Sequence, residues 1–178
     1  KATAFPLEVI RGSTIYTPLI RAIGGVEGKE AKALGYTNIY APEMDVSSDP
    51  RWGRVESCYG SSPYLVGQLG DAMIEGIQGQ GVASTLKHFA VYSIPIGGRD
   101  GGVRTHPRVA PREMREIYLE PFREVIETAH PLGVMASYNE YDGVPIIAST
   151  KFMTDILRKE YGFNGYVVSD SRAVEYVY

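Results

Sequence analysis

The stretch "GFNGYVVSDS", residues 162–171, decides the reading of the fold. A short apolar run, Tyr166-Val167-Val168, stops at Ser169-Asp170. A carboxylate at the mouth of a buried strand costs free energy unless it is paired or retained for chemistry. Ser and Asp also cap helices that follow strands, so the stretch alone leaves both readings open.

Three further runs of strand character lie upstream, at 38–45, 82–88 and 133–138, beside the run at 165–169. They are mostly apolar rather than alternating, as in parallel strands covered on both faces. Helical patterns separate them. Thr17-Pro18 and Gly35 bracket a helix near 18–34, weakened by glycines at 24, 25 and 28. Ser62-Pro63 starts a second, with Leu65, Val66, Leu69, Met73 and Ile77 on one face. A third spans about 111–129, where Pro121 implies a kink or break, and a fourth runs from Ser149-Thr150 to Gly162.

Chemistry-bearing residues close each predicted strand: Asp45, then Lys87-His88, then Tyr138-Asn139-Glu140, then Asp170. A barrel gathers its strand ends around one mouth, whereas an open sheet concentrates its ligand at one switch point, usually with a glycine fingerprint. No G-x-G-x-x-G follows any strand. The expected fold is therefore α/β, a (β/α)8 TIM-type barrel. It is expected to be incomplete, since four strands fall short of a barrel of about 250 residues.

The composition is that of a soluble globular chain: 178 residues, 44% hydrophobic, 22% charged, net charge −3. Nothing in that charge suggests nucleic acid or an anionic membrane surface, and no apolar run approaches the ~20 residues of a membrane span. One cysteine excludes an internal disulfide framework. The twenty glycines and thirteen tyrosines suit tight βα turns and an aromatic-lined cleft. The chain starts at Lys1-Ala2-Thr3 without Met, so the lack of a visible signal peptide is uninformative.

Three loops hold the candidate ligand contacts. "SSDPRWGRVES" (47–57) combines two arginines, a tryptophan and acids directly after a strand. "STLKHFA" (84–90) sets a cation beside an imidazole; neighbouring strand residues point to opposite faces, so both reach one ligand only if the backbone is irregular. A Schiff-base lysine is an alternative role for Lys87. The long loop 93–111 offers Arg99, Asp100, Arg104 and His106. The scattered His88, His106 and His130 give no metal spacing, and there is no G-x-S-x-G elbow. No cofactor or metal is expected.

With these residues assembled, the chain resembles the retaining β-glycosidases of glycoside hydrolase family 3. The resemblance is carried by "ATAFP" (2–6), "APEMDVSSDPRWGRVESCYGSSPYLV" (41–66), "TLKHFA" (85–90), "GVMASYNEYDGVP" (133–145) and "DILRKEYGFNGYVVSD" (155–170). It implies that Asp170 is the catalytic nucleophile and that Arg54, Lys87, His88 and Tyr138 hold the sugar. Arg99 matches a position that contacts sugar in some members. Asp45, Arg51 and Glu56 are expected to support the loop, and cis peptides are implied around Lys87-His88-Phe89.

The resemblance further implies an exo-acting enzyme that removes terminal β-D-glucosyl residues from a β-linked oligosaccharide or glycoside. A β-xylosidase is the alternative within the family. A β-N-acetylhexosaminidase ranks lower, because the chain lacks the "KHFPGHG" type of loop. A catalytically silent sugar-binding barrel is the reading from another class. The chain is expected to be part of a single barrel domain, with a second α/β domain downstream supplying the acid/base carboxyl. Periplasmic or secreted location is favoured over cytoplasmic, and a homodimer is compatible with the pattern.

Overall fold

In the computed structural model, which describes residues 2–95 and 105–177, the strands pair side by side in chain order. They are β1 (Asn38–Ile39), β2 (Ala83–Phe89), β3 (Gly133–Ala136) and β6 (Tyr166–Ser169). Every pairing among them is parallel, with Ile39 opposite Ser84, Leu86 opposite Val134, and Val134 opposite Val167. A small antiparallel hairpin, β4 (Glu140–Tyr141) and β5 (Val144–Pro145), stands apart. Its turn residues Asp142 and Gly143 both take positive φ, as a tight hairpin requires.

A doubly wound sheet reverses its strand order at a switch point. Here the order advances in one direction, as around a barrel. Among the described residues β1 and β6 each have one strand neighbour in this sheet, so it does not close. The architecture is an open portion of a (β/α)8-type barrel. Within the described residues no helix is long and apolar enough to cross a membrane.

The helices are α1 (Glu8–Gly12), α2 (Thr17–Ala33), α3 (Pro63–Gln78), α4 (Pro111–Glu113) and α5 (Glu120–Thr128). A π-helical turn, Met114–Tyr118, joins α4 to α5, and Pro121 sits in the first turn of α5. Its missing N–H costs nothing there, so the expected break in this segment falls before the proline. The segment Lys151–Glu160 is also π-helical. Ser62 caps α3 by accepting from the Leu65 N–H, while α2 starts at Thr17 without a side-chain cap.

The glycines that weakened the reading of α2 are what lets it pack. A Cβ on Gly24 would lie 2.6 Å from the Met73 carbonyl oxygen, and one on Gly76 would lie 2.3 Å from that of Arg21. The two backbones meet directly. Helix-facing side chains of the sheet, such as Leu86, Val134 and Phe89, are fully buried, with Phe89 edge-on to Phe122 at 5.3 Å. Burying such a side chain stabilises by about 1.5–3 kcal/mol.

Another layer is polar. Thr85 Oγ1 donates to Asn38 Oδ1 at 2.6 Å and lies 2.5 Å from the Tyr166 hydroxyl, linking β1, β2 and β6. Gly133 makes room between them, since a Cβ there would lie 2.5 Å from the Tyr166 ring. The predicted strand 38–45 is shorter than expected. Its regular pairing ends at Ile39, before a cis Ala41-Pro42 bond, and resumes only as an isolated bridge between Glu43 and Lys87.

Candidate active site

β2 delivers two of the candidate residues and the loop after β1 wraps over them. The peptide bonds Lys87-His88 and Phe89-Ala90 are cis, so adjacent residues are not held to opposite faces as in a regular strand. Lys87 turns to the Glu43 carboxylate, with Nζ 3.7 Å from Oε2. His88 is buried among Asp45, Arg54 and Asp170.

The hydrogen bonds fix the tautomer of His88. Arginine can only donate, so Nε2 must accept from Arg54 Nη1 at 2.9 Å. The proton therefore resides on Nδ1, which donates to Asp45 Oδ2 at 2.7 Å; the same oxygen accepts the His88 backbone N–H at 3.1 Å. Burial, reinforced by Arg54 and Lys87, lowers the His88 pKa to about 3, so the ring is neutral. Burial also raises Asp45 to about 7, against the pull of Arg54 and Lys87. Asp45, expected to support the loop, instead orients the imidazole.

Arg54 precedes a short 3-10 turn, Val55–Ser57, and its fork is held on two sides. Nη1 meets His88 and Nη2 donates to Glu43 Oε2 at 2.7 Å, while Nε has no hydrogen-bond partner among the described residues. Glu43 is 1% exposed, and burial together with Asp45 raises its pKa. Sequence reasoning passed over this residue. Its only signal was an acid between two loop-forming motifs, in "APEMD".

Asp170 follows β6 and is 8% exposed. Its backbone N–H pairs with the Ala136 carbonyl at 3.0 Å, continuing the β3–β6 ladder, and Oδ1 accepts the Ser171 N–H at 2.7 Å. Oδ2 lies 3.4 Å from His88 Nε2 but has no hydrogen-bond partner among the described residues, because that nitrogen is already an acceptor. One oxygen is thus anchored and the other is available.

Aromatic rings complete the wall. Trp52, 2% exposed, sits edge-on to Tyr92 at 5.5 Å; Tyr92 in turn approaches His88 at 5.0 Å and Tyr138 at 6.1 Å. The buried Trp52 shapes the loop rather than offering an open face. The geometry therefore draws Arg54, His88 and Asp170 into one cluster, with Lys87 reached through Glu43 and Tyr138 through Tyr92. Arg99, Asp100 and Arg104 lie outside the described residues. His106 stacks on Tyr141 and faces Asp142 at the hairpin, with no bond to this cluster in any described contact. The Glu140 N–H donates to the Thr105 carbonyl, tying the hairpin to the long loop, and Arg51 pairs with Asp49 at the surface.

Glu43, Asp45 and His88 lie close enough to bracket a cation, each offering one ligand atom within 4.8 Å of the others. Yet His88 Nδ1 is spent on Asp45, and Glu43 on Arg54 and Lys87. A metal would have to displace two resident cations. A cavity of about 340 Å³ lined by Ile126, His130, Leu132 and Phe163 lies at the opposite strand ends and contains no acid.

The carboxylates, cations and aromatics gather at the C-terminal strand ends of a parallel barrel portion, the face at which barrels of this class build their sites. The chain belongs to the family described as glycosyl hydrolase family 3 N terminal domain, whose model matches residues 1–178. It is 40% identical to a β-xylosidase of Formosa agariphila, over 97% of this chain and 25% of that protein. Among solved structures, a β-glucosidase of Erythrobacter marinus superposes with a TM-score of 0.90 at 38% identity, over 97% of this chain and 24% of that one. A β-glucosidase of Listeria innocua solved with laminaribiose gives a TM-score of 0.92 at 31% identity, over 99% of this chain and 25% of that one. The chain thus spans about a quarter of the length of these relatives.

Proposed function

We propose that the protein containing this chain is a retaining, exo-acting β-glycosidase that removes terminal β-D-glucosyl residues, with Asp170 as its nucleophile. One observation carries the reading: Asp170 holds Oδ1 on the Ser171 N–H and, among the described residues, leaves Oδ2 without a partner beside His88. In the first step Oδ2 attacks the anomeric carbon, forming a C–O bond as the bond to the aglycone oxygen breaks and an acid protonates that oxygen. In the second, a base takes a proton from water, water attacks the same carbon, and the carboxylate leaves. Arg54, Lys87 and Tyr138 supply donors for sugar hydroxyls, and Arg99 is a further candidate. Neutral His88 faces Asp170 without protonating it.

The acid/base is assigned to another part of the protein. Asp45 is buried on His88 and Glu43 is engaged by two cations, so neither can reach a leaving group. The relatives are about four times as long, which supports a further α/β domain as the source, with residues 1–178 forming part of one barrel domain. A β-xylosidase is the second reading, favoured by the 40% identical relative of that name.

The test is trapping in the intact protein. An activated 2-fluoro β-glucoside, and its xylose counterpart, should leave a covalent adduct on the peptide containing Asp170, and Asp170→Asn should abolish turnover. A label on another carboxylate would overturn the assignment, and the faster-reacting sugar decides between the two readings.

A further inference from the structure

We propose that Glu43 is a positioning residue that sets the place of both cations of the site through a single carboxylate; this rests on the reading of Arg54 and Lys87 as sugar-binding groups. Its two oxygens have separate tasks. Oε1 accepts from Ser57 Oγ at 2.8 Å, with Cys58 Sγ at 3.7 Å, and so grips the turn that follows Arg54. Oε2 accepts from Arg54 Nη2 at 2.7 Å and faces Lys87 Nζ at 3.7 Å.

The two cations are held differently. The first distance is a charge-assisted hydrogen bond, whereas the second is too long for one. Arg54 is locked between Glu43 and His88. Lys87 is only tethered by charge, so Glu43 does not take up its three N–H donors and they can turn to a ligand. The main chain sets this register, since Glu43 bridges Lys87 in parallel and the Met44 N–H meets the Lys87 carbonyl. Without the carboxylate, two neighbouring cations would repel, and Arg54 Nη2 would be left half-buried without its acceptor.

The experiment uses the full-length protein and 4-nitrophenyl β-glucoside. Glu43→Gln keeps an acceptor for Arg54 but loses the charge that draws Lys87. It should raise KM about tenfold, the scale of one charge-assisted bond, in protein that is fully folded by circular dichroism. Glu43→Asp should recover part of that loss. The effect of Glu43→Gln should also shrink in a Lys87→Met background, because the group it places is gone.

Unchanged KM with kcat reduced only in proportion to the folded fraction would reduce Glu43 to a structural ion pair and overturn the proposal. Full additivity with Lys87→Met would overturn it too. Should Glu43→Gln fail to fold, Ser57→Ala decides: it removes the hydroxyl that bonds both Oε1 and, at 3.0 Å, the Arg54 carbonyl, and should raise KM by about two- to threefold, and an unchanged KM would overturn the proposal. Arg54→Lys and Lys87→Met run alongside. If neither changes KM, the sugar-site reading itself fails; if both do while Glu43→Gln does not, only the positioning role fails.

Discussion

Neutralising Asp45 tests how the site is organised. Its Oδ2 accepts both the His88 backbone N–H at 3.1 Å and ring Nδ1 at 2.7 Å. Those bonds hold the proton on Nδ1 and leave Nε2 to accept from Arg54. At pH 8.5, where Asp45, raised to about 7, is ionised, hydrogen bonds to this charged partner contribute about 1.5–3 kcal/mol, against about 0.5–1.5 for neutral pairs. Asp45→Asn therefore removes about 1 kcal/mol from each of two bonds if the amide oxygen takes over. If the amide presents its NH2 to Nδ1, the ring proton moves to Nε2 and two donors confront each other at Arg54, a penalty of about 1–3 kcal/mol. The two routes bracket a loss of about 1–3 kcal/mol in the arrangement that His88 presents to Arg54. At 1.36 kcal/mol per decade, kcat/KM for 4-nitrophenyl β-glucoside in the intact protein should fall about 5- to 150-fold. The control is a crystal structure of the variant, in which the Arg54–His88 separation should exceed that in the wild type. A folded Asp45→Asn protein with kcat/KM within threefold of wild type would refute the claim that Asp45 sets His88 for Arg54.

Two other outcomes follow from burial. Gly76→Ala forces a methyl into the Arg21 backbone, which neither helix can yield cheaply, and should lower denaturant stability by about 1–3 kcal/mol or more; an unchanged midpoint would show that α2 and α3 separate without cost. The pH dependence has a definite sign. His88, lowered from 6.5 to about 3, destabilises the fold as pH falls from 6.5, because the unfolded chain then binds the extra proton. Asp45 and Glu8, raised to about 7 chiefly by burial, act oppositely: the folded state keeps protons that the unfolded chain releases, so their contribution is lost as pH rises through 7. Between pH 6.5 and 8.5 each acid loses about 1 kcal/mol, while the half-protonated unfolded His88 at pH 6.5 returns about 0.4 kcal/mol as it neutralises, so urea midpoints should fall by a net amount worth about 1 kcal/mol. A midpoint rising across that window would contradict the buried environment assigned to both acids.

Much of this was legible in the sequence because strands in a barrel end where its chemistry begins. Asp170, Lys87 and His88 were found at the ends of apolar runs, and the fold class followed from there being several such ends. What was hidden had no local signature. Glu43 lies in a stretch without periodicity, and its burial depends on cations that arrive from residues 54 and 87. Asp45 was visible as a residue, but only the fold reveals that its partner is the imidazole 43 positions later. The glycines of α2 read as helix breakers because propensity is a property of one helix, whereas their use belongs to a pair. Thr85 and Tyr166 in the polar layer resembled ordinary strand residues, and nothing local announced a hydroxyl link across three strands.

Cys58 gives the site a built-in meter. Its thiol is fully buried, sits beside Glu43 and the Arg54 carbonyl, and is pushed well above the ordinary thiol range by burial and the surrounding carboxylates. A thiolate-seeking reagent can react there only after the 54–58 turn lifts away from Glu43. The rate at which this peptide becomes labelled, located by mass spectrometry, therefore reports the opening of the loop that carries Arg54, as a frequency when reagent is in large excess and as an open population when it is scarce. A bound sugar that closes the loop would slow that clock, making occupancy of the site measurable without any turnover.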